Sequence, residues 1–318
     1  MTSEIEEFEN FEKKINGSRS FNWTTVRDTL RFLRKSKFRK SHLVSNYGYT
    51  LVVEYANKLD SNEKWDTIEQ VLVASLDSDE IDKAQTLLDI LIKQFGQSSI
   101  RASRLKGMIL ESKGEIQSAI EIYTNILEKY PADSMSMKRQ ITIFTSQGNY
   151  TKAIQLLNQY LQIFMVDFEA WLELSSLHLR LLAYKNAQFC YEEIILNAPI
   201  NYIFYVKYAE ITYSLGGSDN YILALKYFTH SLELNPPVIQ NQDDNSIQIP
   251  TNLTSIYGII MSIFSYCQQN AGNINKLKDS QLKLMEWSQN QLTSITERYN
   301  PTYLPIVNSF IKTTKINN

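Results

Sequence analysis

Hydrophobic and polar residues follow a helical period along most of the chain, and between residues 100 and 236 the pattern itself repeats about every 34 residues. Four alanines mark the repeat, because Ala119, Ala153 and Ala187 are 34 residues apart and Ala224 comes 37 residues later. Each alanine predicts a close crossing of two helices, where a larger side chain would clash. The residue four positions later shares its helix face and is large in every unit. These large residues are Tyr123, Leu157, Tyr191 and Phe228.

Turn and cap residues keep the same spacing. Glycine after a first helix favours a left-handed cap, and proline after a second helix ends it because proline cannot donate the helical hydrogen bond. Asp133, Asp167 and Asn201 stand where an N-cap residue accepts from the first N–H groups of the next helix. This period, with two helices per unit, resembles the tetratricopeptide repeat. The glycines are Gly114, Gly148 and Gly216, with Leu182 at this position in the third unit, and the prolines are Pro131, Pro199 and Pro236, with Met165 at this position in the second unit.

The pattern predicts an all-α fold, a tetratricopeptide-repeat right-handed superhelical solenoid with flanking helices. Ala84 lies 35 residues before Ala119, which predicts a degenerate repeat ahead of the clean ones. The predicted regions are a mobile acidic N-terminus over 1–20, a single α-solenoid over 21–298 and a C-terminal tail over 299–318. Within the solenoid they are clean repeats over about 100–236, a polar loop insertion over 238–252 and closing helices over 253–298.

Residues 27–40 are strongly basic, with seven arginines and lysines and a single acid, Asp28. Such a stretch could contact anionic lipid head groups or an acidic partner. The interpretation we favour is a capping helix with a solvated charged face, because helices of this kind commonly carry one.

Composition narrows the class of protein. The net charge of −2 and the pI of about 6.0 argue against a dedicated nucleic-acid binder, which would be basic. Two cysteines, Cys190 and Cys267, form no CxxC motif, which fits a reducing compartment. The acidic start has no apolar core and therefore does not look like a secretory signal, and no segment is apolar over the ~20 residues needed to cross a bilayer. These features predict a cytosolic protein.

Catalytic signatures are missing from the sequence. It contains no GxGxxG, GxxxxGK[ST] or HExxH motif, and His42, His178 and His230 lie far apart in the repeat order. No serine or cysteine has a convincing partner base. We therefore predict no enzyme activity, no cofactor, no metal and no small-molecule substrate.

In tetratricopeptide arrays, positions two, five, nine and twelve of each unit face a concave groove, and the resemblance carries this rule over to the present chain. The groove changes from basic to apolar along its length, which suits an extended polypeptide with acidic and apolar parts. A plain solvated groove is the alternative. The predicted partner-binding groove residues are Arg101, Arg104, Met108, Lys138, Arg139, Thr142, Leu172, Ser176, Ile203, Val206, Glu210 and Tyr213.

Several segments inside and outside the repeats point to one particular family. They include DFEAWLELSSLHL (167–179), AQFCYEE (187–193), YAEITYSLGG (208–217) and IYGIIMSIF (256–264). These segments resemble the subunit 2 family of the ER membrane protein complex, and the similarity extends over residues 23–298.

The resemblance implies a non-catalytic scaffold subunit on the cytoplasmic face of the endoplasmic reticulum membrane, held there peripherally by membership of the complex. It implies that the groove holds cytosolic segments of other subunits, notably subunits 3 and 5, and supports insertion of tail-anchored and multi-pass proteins. The alternative is a soluble co-chaperone or adaptor that binds extended peptides. The carboxylate clamp of co-chaperones uses asparagine, whereas the ninth positions here are Met108, Thr142, Ser176 and Glu210.

Overall fold

The structure is a computed structural model that describes residues 2–17, 21–236, 252–270 and 278–315. These residues form helices and no strand, and the chain divides into two compact units, Met1–Gln147 and Gly148–Asn318. A single solenoid was predicted over 21–298. Each helix of a repeat array packs only on its neighbours, so a helical array can divide into more than one compact body.

The first unit contains eight helices in the part that the structure describes, joined by short turns and one 3₁₀ turn, Ala56–Lys58. The helices are α1 (Thr2–Asn16), α2 (Trp23–Ser36), α3 (Ser41–Glu54), α4 (Ser61–Asp77), α5 (Ile81–Phe95), α6 (Ile100–Ser112), α7 (Ile116–Lys129) and α8 (Ser134–Ser146).

The second unit contributes a further eight helices from its described residues, with a 3₁₀ turn at Pro301–Tyr303. The helices are α9 (Tyr150–Ile163), α10 (Phe168–Arg180), α11 (Tyr184–Asn197), α12 (Tyr202–Leu215), α13 (Ser218–Leu234), α14 (Leu253–Gln269), α15 (Asp279–Tyr299) and α16 (Leu304–Thr313).

The landmarks of the repeat occupy the positions predicted for them. All four marker alanines, on α7, α9, α11 and α13, are completely buried. The turn glycines have φ values from 68° to 80°, and Leu182 takes the same left-handed conformation with φ 55°. Asp133 accepts from the Ser136 amide at 3.0 Å, and Asp167 and Asn201 cap α10 and α12 in the same way. The helix boundaries of the repeats could therefore be predicted from the cap and turn residues alone.

Large residues on the second helices fit against small residues on neighbouring helices. A Cβ added to Gly107 on α6 would lie 2.6 Å from Cζ of Tyr123, and one added to Gly258 on α14 would lie 2.4 Å from Cζ of Phe228. Such distances are far below van der Waals contact. Each ring thus occupies the space that a side chain at the glycine would need.

The degenerate first repeat is present as α4 and α5. Ala84 is completely buried, as the marker alanines are, and Leu88 four residues later is buried as well. Asp79 in the turn between the two helices has φ 60°, which matches the glycine position of the later repeats. Asp tolerates this conformation better than most side chains.

The N-terminal region differs from the prediction of a mobile segment over 1–20, because residues 2–16 form α1. Phe8 and Ile15 are buried, and the Phe8 ring packs edge-on against Phe38 with 6.5 Å between centroids. The Lys40 ammonium lies 4.9 Å from the centre of the same ring. The helix α1 therefore packs on apolar and cationic side chains from later in the chain. The sequence did not indicate this contact.

Three arginines of the basic stretch over 27–40 bind side chains of α4 in the same unit. Arg31 on α2 holds both carboxylate oxygens of Glu63 on α4, and Arg39 donates to Asp77 at 2.9 Å. Arg34 donates to the side chains of Gln70 and Thr67, each at 3.1 Å. These bonds favour the interpretation of the stretch as a capping helix and disfavour its interpretation as a lipid-binding surface.

These ion pairs predict a pH dependence of stability. The hydrogen bond from Arg31 lowers the pKa of Glu63, and that from Arg39 lowers the pKa of Asp77. A carboxylate with a lowered native pKa stabilises the fold above its ordinary pKa, and this contribution is lost as the pH falls through the native value. We expect the urea midpoint to fall between about pH 5 and about pH 3, and Glu63→Gln with Asp77→Asn to flatten that decline. An unchanged slope in the double variant would contradict the assignment.

The region predicted as closing helices over 253–298 contains α14 and α15, and Ile256, Ile260 and Ile263 on α14 are completely buried. Trp287 on α15 is 39% exposed. The tail after 299 adds a further helix, α16, anchored by buried Val307. The loop insertion predicted over 238–252 lies outside the described residues, apart from Asn252.

Candidate partner-binding surfaces

The first helices of the repeats are α6 and α8 in the first unit and α10 and α12 in the second. Within each unit, we call the groove-predicted positions on these helices the first-helix face. In the first unit this face begins with Arg101, whose guanidinium is 3.0 Å from Asp66 and also contacts Glu69, both on α4. Burial alone would lower the pKa of Arg101, whereas the hydrogen bonds and charges of these two acids raise it above its usual value. The charge of Arg101 is therefore largely compensated within the unit.

Arg139 continues the same arrangement one helix further along. Its guanidinium lies 3.2 Å from Glu111 on α6, and the Tyr123 hydroxyl donates to that carboxylate at 2.5 Å. Burial, followed by the hydrogen bond to Glu111, raises the pKa of Tyr123. Arg104, which is only a quarter exposed, lies 4.0 Å from the cap residue Asp133. The three arginines predicted to meet a partner thus lie beside acids of the same unit.

The other predicted residues of the first unit lie on the same face. Thr142 is exposed, and its hydroxyl donates to the Lys138 carbonyl at 2.8 Å. Lys138 is half-buried, and Met108 is half-buried against the core of the first unit. The structure brings all six predicted residues of this unit together on α6 and α8.

In the second unit the predicted residues divide between the surface and the core. Ser176 on α10 is exposed, Leu172 is half-buried, and Ile203 on α12 is 47% exposed. Val206 is only 6% exposed because it packs in a core with Phe228 and residues of α14. Val206 is therefore not available to a partner in this structure, and its inclusion in the predicted groove is corrected here.

Glu210 and Tyr213 lie where α14 packs against α12. Glu210 pairs with Lys207 at 2.7 Å, and the hydroxyls of Tyr213 and Ser265 lie 2.8 Å apart. Both residues border a small, mostly apolar cavity of about 270 Å³ that also involves Met261 of α14. The closing helix thus covers part of the face that the repeat rule leaves open.

A second surface in this unit was missed by the sequence analysis. Large aliphatic side chains stand exposed at the turns that lead from second helices into first helices, and we call this set the apolar edge. An aliphatic cluster of this exposure on a folded chain marks an interaction surface. The apolar edge consists of Met165 (64% exposed), Val166 (81%), Leu196 (75%), Ile200 (85%) and Ile203 (47%).

The apolar edge is continuous between two repeats. The rings of Phe168 and Phe204 are in contact, with 6.0 Å between centroids, and they join the first turns of α10 and α12. Val166 and Ile200 stand just before these turns and are 34 residues apart. A signal was therefore present in the sequence, since apolar residues occupy two equivalent turn positions where polar ones are usual.

Titratable and nucleophilic groups are not arranged for catalysis in the part of the chain that the structure covers. Burial raises the pKa of Cys190 to about 12 and also raises the pKa of Cys267. Burial lowers the pKa of His178. Among the described residues, no group of three or more His, Cys, Asp or Glu side chains could hold a metal ion.

Comparison with known proteins decides the family. The family described as "EMC2 TPR-like repeat domain" matches residues 85–226. The chain is also 52% identical over 319 residues to ER membrane protein complex subunit 2 of Dictyostelium discoideum, covering 100% of this chain and 97% of that protein. The chain belongs to the ER membrane protein complex subunit 2 family.

More distant members of the subunit 2 family match over most of their length. Identity to ER membrane protein complex subunit 2-B of Xenopus laevis is 33% over 279 residues, which is 88% of each chain. A crystal structure of the C-terminal part of a TPR repeat-containing protein from Cytophaga hutchinsonii superposes with a TM-score of 0.51 at 14% identity. The superposition covers 92% of this chain and 97% of the Cytophaga chain. It supports the all-α tetratricopeptide solenoid as the fold.

The relatives described above are named as subunits of a complex or as repeat proteins, and none of them carries the name of an enzyme. Across the residues that the structure describes, no helix combines the length and the apolar character that crossing a bilayer requires.

Proposed function

We propose that this protein is a scaffold subunit of the ER membrane protein complex, peripheral to the membrane at its cytoplasmic face. In this proposal it binds cytosolic segments of other subunits, notably subunits 3 and 5, and supports insertion of tail-anchored and multi-pass proteins. Family membership over the whole chain carries the proposal, because the relatives are named as subunits of that complex.

Two surfaces support a scaffolding role. The apolar edge exposes Val166 and Ile200 almost completely, which is unfavourable in water and becomes favourable once a partner covers them. In the same unit, Ser176 on α10 offers an exposed polar position. A partner can therefore gain apolar contact at the edge and polar contact on α10.

The alternative, a co-chaperone that grips an acidic C-terminal tail, is disfavoured by the ion pairs. A carboxylate clamp needs cations that can turn toward the peptide. Here Arg101 is held by Asp66 and Glu69, and Arg139 is held by Glu111. A peptide carboxylate would have to displace these acids, which are tethered by the fold. We expect an acidic C-terminal peptide to bind at the first-helix face no better than its amidated, neutralised form.

Affinity purification of the tagged chain from native membranes in mild detergent tests the proposal. We expect recovery of other subunits of the complex, subunits 3 and 5 among them. Val166→Asp with Ile200→Asp should reduce that recovery about tenfold or more, because a charge would be buried against an apolar partner. Recovery of cytosolic proteins only would overturn the proposal.

A matched control uses Leu182→Asp. Leu182 is also a large exposed aliphatic residue of the second unit, but it lies in the turn between α10 and α11, away from the apolar edge. Its left-handed backbone conformation is one that Asp accepts. We expect this variant to recover the complex as the unaltered chain does. Equal loss in both variants would indicate a general defect and would remove the edge from the proposal.

A further inference from the structure

A surface cavity of about 530 Å³ lies between α5, α6 and α7 in the first unit. We call it the lysine groove. The residues that α6 and its C-cap contribute to it include Lys106, Ile109, Leu110 and Lys113. At 100° per residue these positions point away from the face that carries Arg101. The lysine groove therefore lies on a different side of α6 from the first-helix face of this unit.

The floor of the lysine groove is apolar. Leu88 and Ile92 of α5, Ile109 of α6 and Ile126 of α7 line it. The volume lies within the range of about 300–1,000 Å³ that is usual for ligand-binding clefts. A ligand that fits this floor must bring apolar groups.

The rim of the lysine groove is cationic. Lys106 and Lys113 extend from α6 and Lys129 from α7, and a single acid, Asp89, lines the groove with them. Gln85 binds Asp89 at 3.2 Å and Lys113 at 3.3 Å. Lys106 and Lys129 form no ion pair with any residue in the described ranges. This excess of positive charge contrasts with the compensated arginines of the first-helix face and with the net charge of −2 of the whole chain.

The spacing of the cations distinguishes between kinds of ligand. Lys106 on α6 and Lys113 at its C-cap are seven residues apart, which separates them by about 10 Å along the helix axis. A fatty acid carries one carboxylate and could satisfy only one of them. A polypeptide can place acidic side chains about three extended residues apart over the same distance. The amide side chains of Gln97 and Asn125, which also line the groove, can pair with a peptide backbone.

We propose that the lysine groove binds a polypeptide segment whose apolar side chains are flanked by aspartate or glutamate. The apolar side chains occupy the floor between α5, α6 and α7, and the flanking carboxylates pair with the rim lysines Lys106, Lys113 and Lys129. Hydrophobic contact supplies most of the affinity, while the charges select the segment and its direction.

Site-specific photocrosslinking in intact cells tests this proposal. Asn125, exposed on α7 at the groove, is replaced by p-benzoylphenylalanine in the full-length chain, and adducts are sequenced by mass spectrometry. We expect the crosslinked segment to be apolar with flanking Asp or Glu. Lys106→Glu with Lys129→Glu should lower adduct yield about tenfold, and acid-to-lysine changes in the captured segment should restore it. The same photoreactive residue at exposed Lys185 in the second unit is the position control.

Several results would overturn the proposal. These are no adduct at Asn125, a lipid adduct, a basic or uncharged segment, or an adduct unaffected by charge reversal. Lys106→Gln with Lys129→Gln removes the charges without adding repulsion and guards against misfolding, since it should also reduce the yield. Recovery of complex subunits from membranes is a separate readout, so failure of the lysine groove and failure of the scaffold proposal are distinguishable.

Discussion

Replacing Ala187 with tryptophan is expected to destabilise the protein by about 3 kcal/mol, the upper end of ordinary overpacking. Ala187 is completely buried on α11, and this helix packs against both α10 and α12. Protein interiors are close-packed, so an indole at this crossing must push the helices apart or force strained rotamers. Urea unfolding followed by far-UV circular dichroism measures the change.

Lys185→Trp is the matched control, because it introduces the same side chain two residues earlier on the exposed side of α11. A surface substitution of this kind usually changes stability by less than about 0.5 kcal/mol. A comparable loss in both variants would mean that tryptophan harms α11 for a reason other than the crossing. A normal midpoint for Ala187→Trp would mean that the crossing is loose.

Gly107→Leu is expected to cost about 3 kcal/mol, even though leucine favours the helix by up to about 1 kcal/mol relative to glycine. The first atom of the new side chain would lie 2.6 Å from the Tyr123 ring. That ring cannot move aside easily, because it is completely buried and its hydroxyl is bound to Glu111. Equilibrium unfolding in urea measures the loss.

The double variant Gly107→Leu with Tyr123→Ala distinguishes a local clash from a general effect. Removing the ring opens the space that the leucine needs, so the two costs should combine to at least about 1 kcal/mol less than their sum. Recovery should be incomplete because Glu111 loses the tyrosine hydroxyl as a partner. Strictly additive costs would show that Gly107 and Tyr123 do not compete for the same volume.

The distribution of charge separates the surfaces of the first unit. On the first-helix face, Arg101 and Arg139 pair with acids from neighbouring helices, and such partly exposed pairs add little net stability. Their effect is to leave that face nearly neutral. The lysine groove keeps uncompensated cations. A partner that depends on charge should therefore be sought at the groove, and one that depends on apolar contact at the apolar edge of the second unit.

Much of the repeat fold was predictable from the sequence because its determinants are local. A capping aspartate such as Asp133 and a left-handed Gly114 act on the helix that adjoins them in the chain. Buried Ala119 and Tyr123 recur at a fixed spacing, so one unit predicts the next. The candidate site was less predictable, since exposure depends on which helices cover a face.

The N-terminal helix shows why flanking elements are harder to predict. The acidic segment that forms α1 is stabilised by tertiary contacts, such as the packing of Phe8 against Phe38. A helix of this length is marginal alone and is stabilised mainly by packing. The sequence contains Phe8 and Phe38 but does not indicate that the two side chains pack against each other.

The sequence alone determined the two-helix unit, its period, its caps and turns, and the family to which the chain belongs, because each depends on residues close together in the chain or on similarity along it. Only the tertiary structure decided which surfaces remain for partners. Arg101 pairs with acids 32 and 35 residues earlier, and Val206 is covered by a helix more than 45 residues later. Such contacts depend on how helices from different repeats are oriented, and that orientation results from packing the whole array.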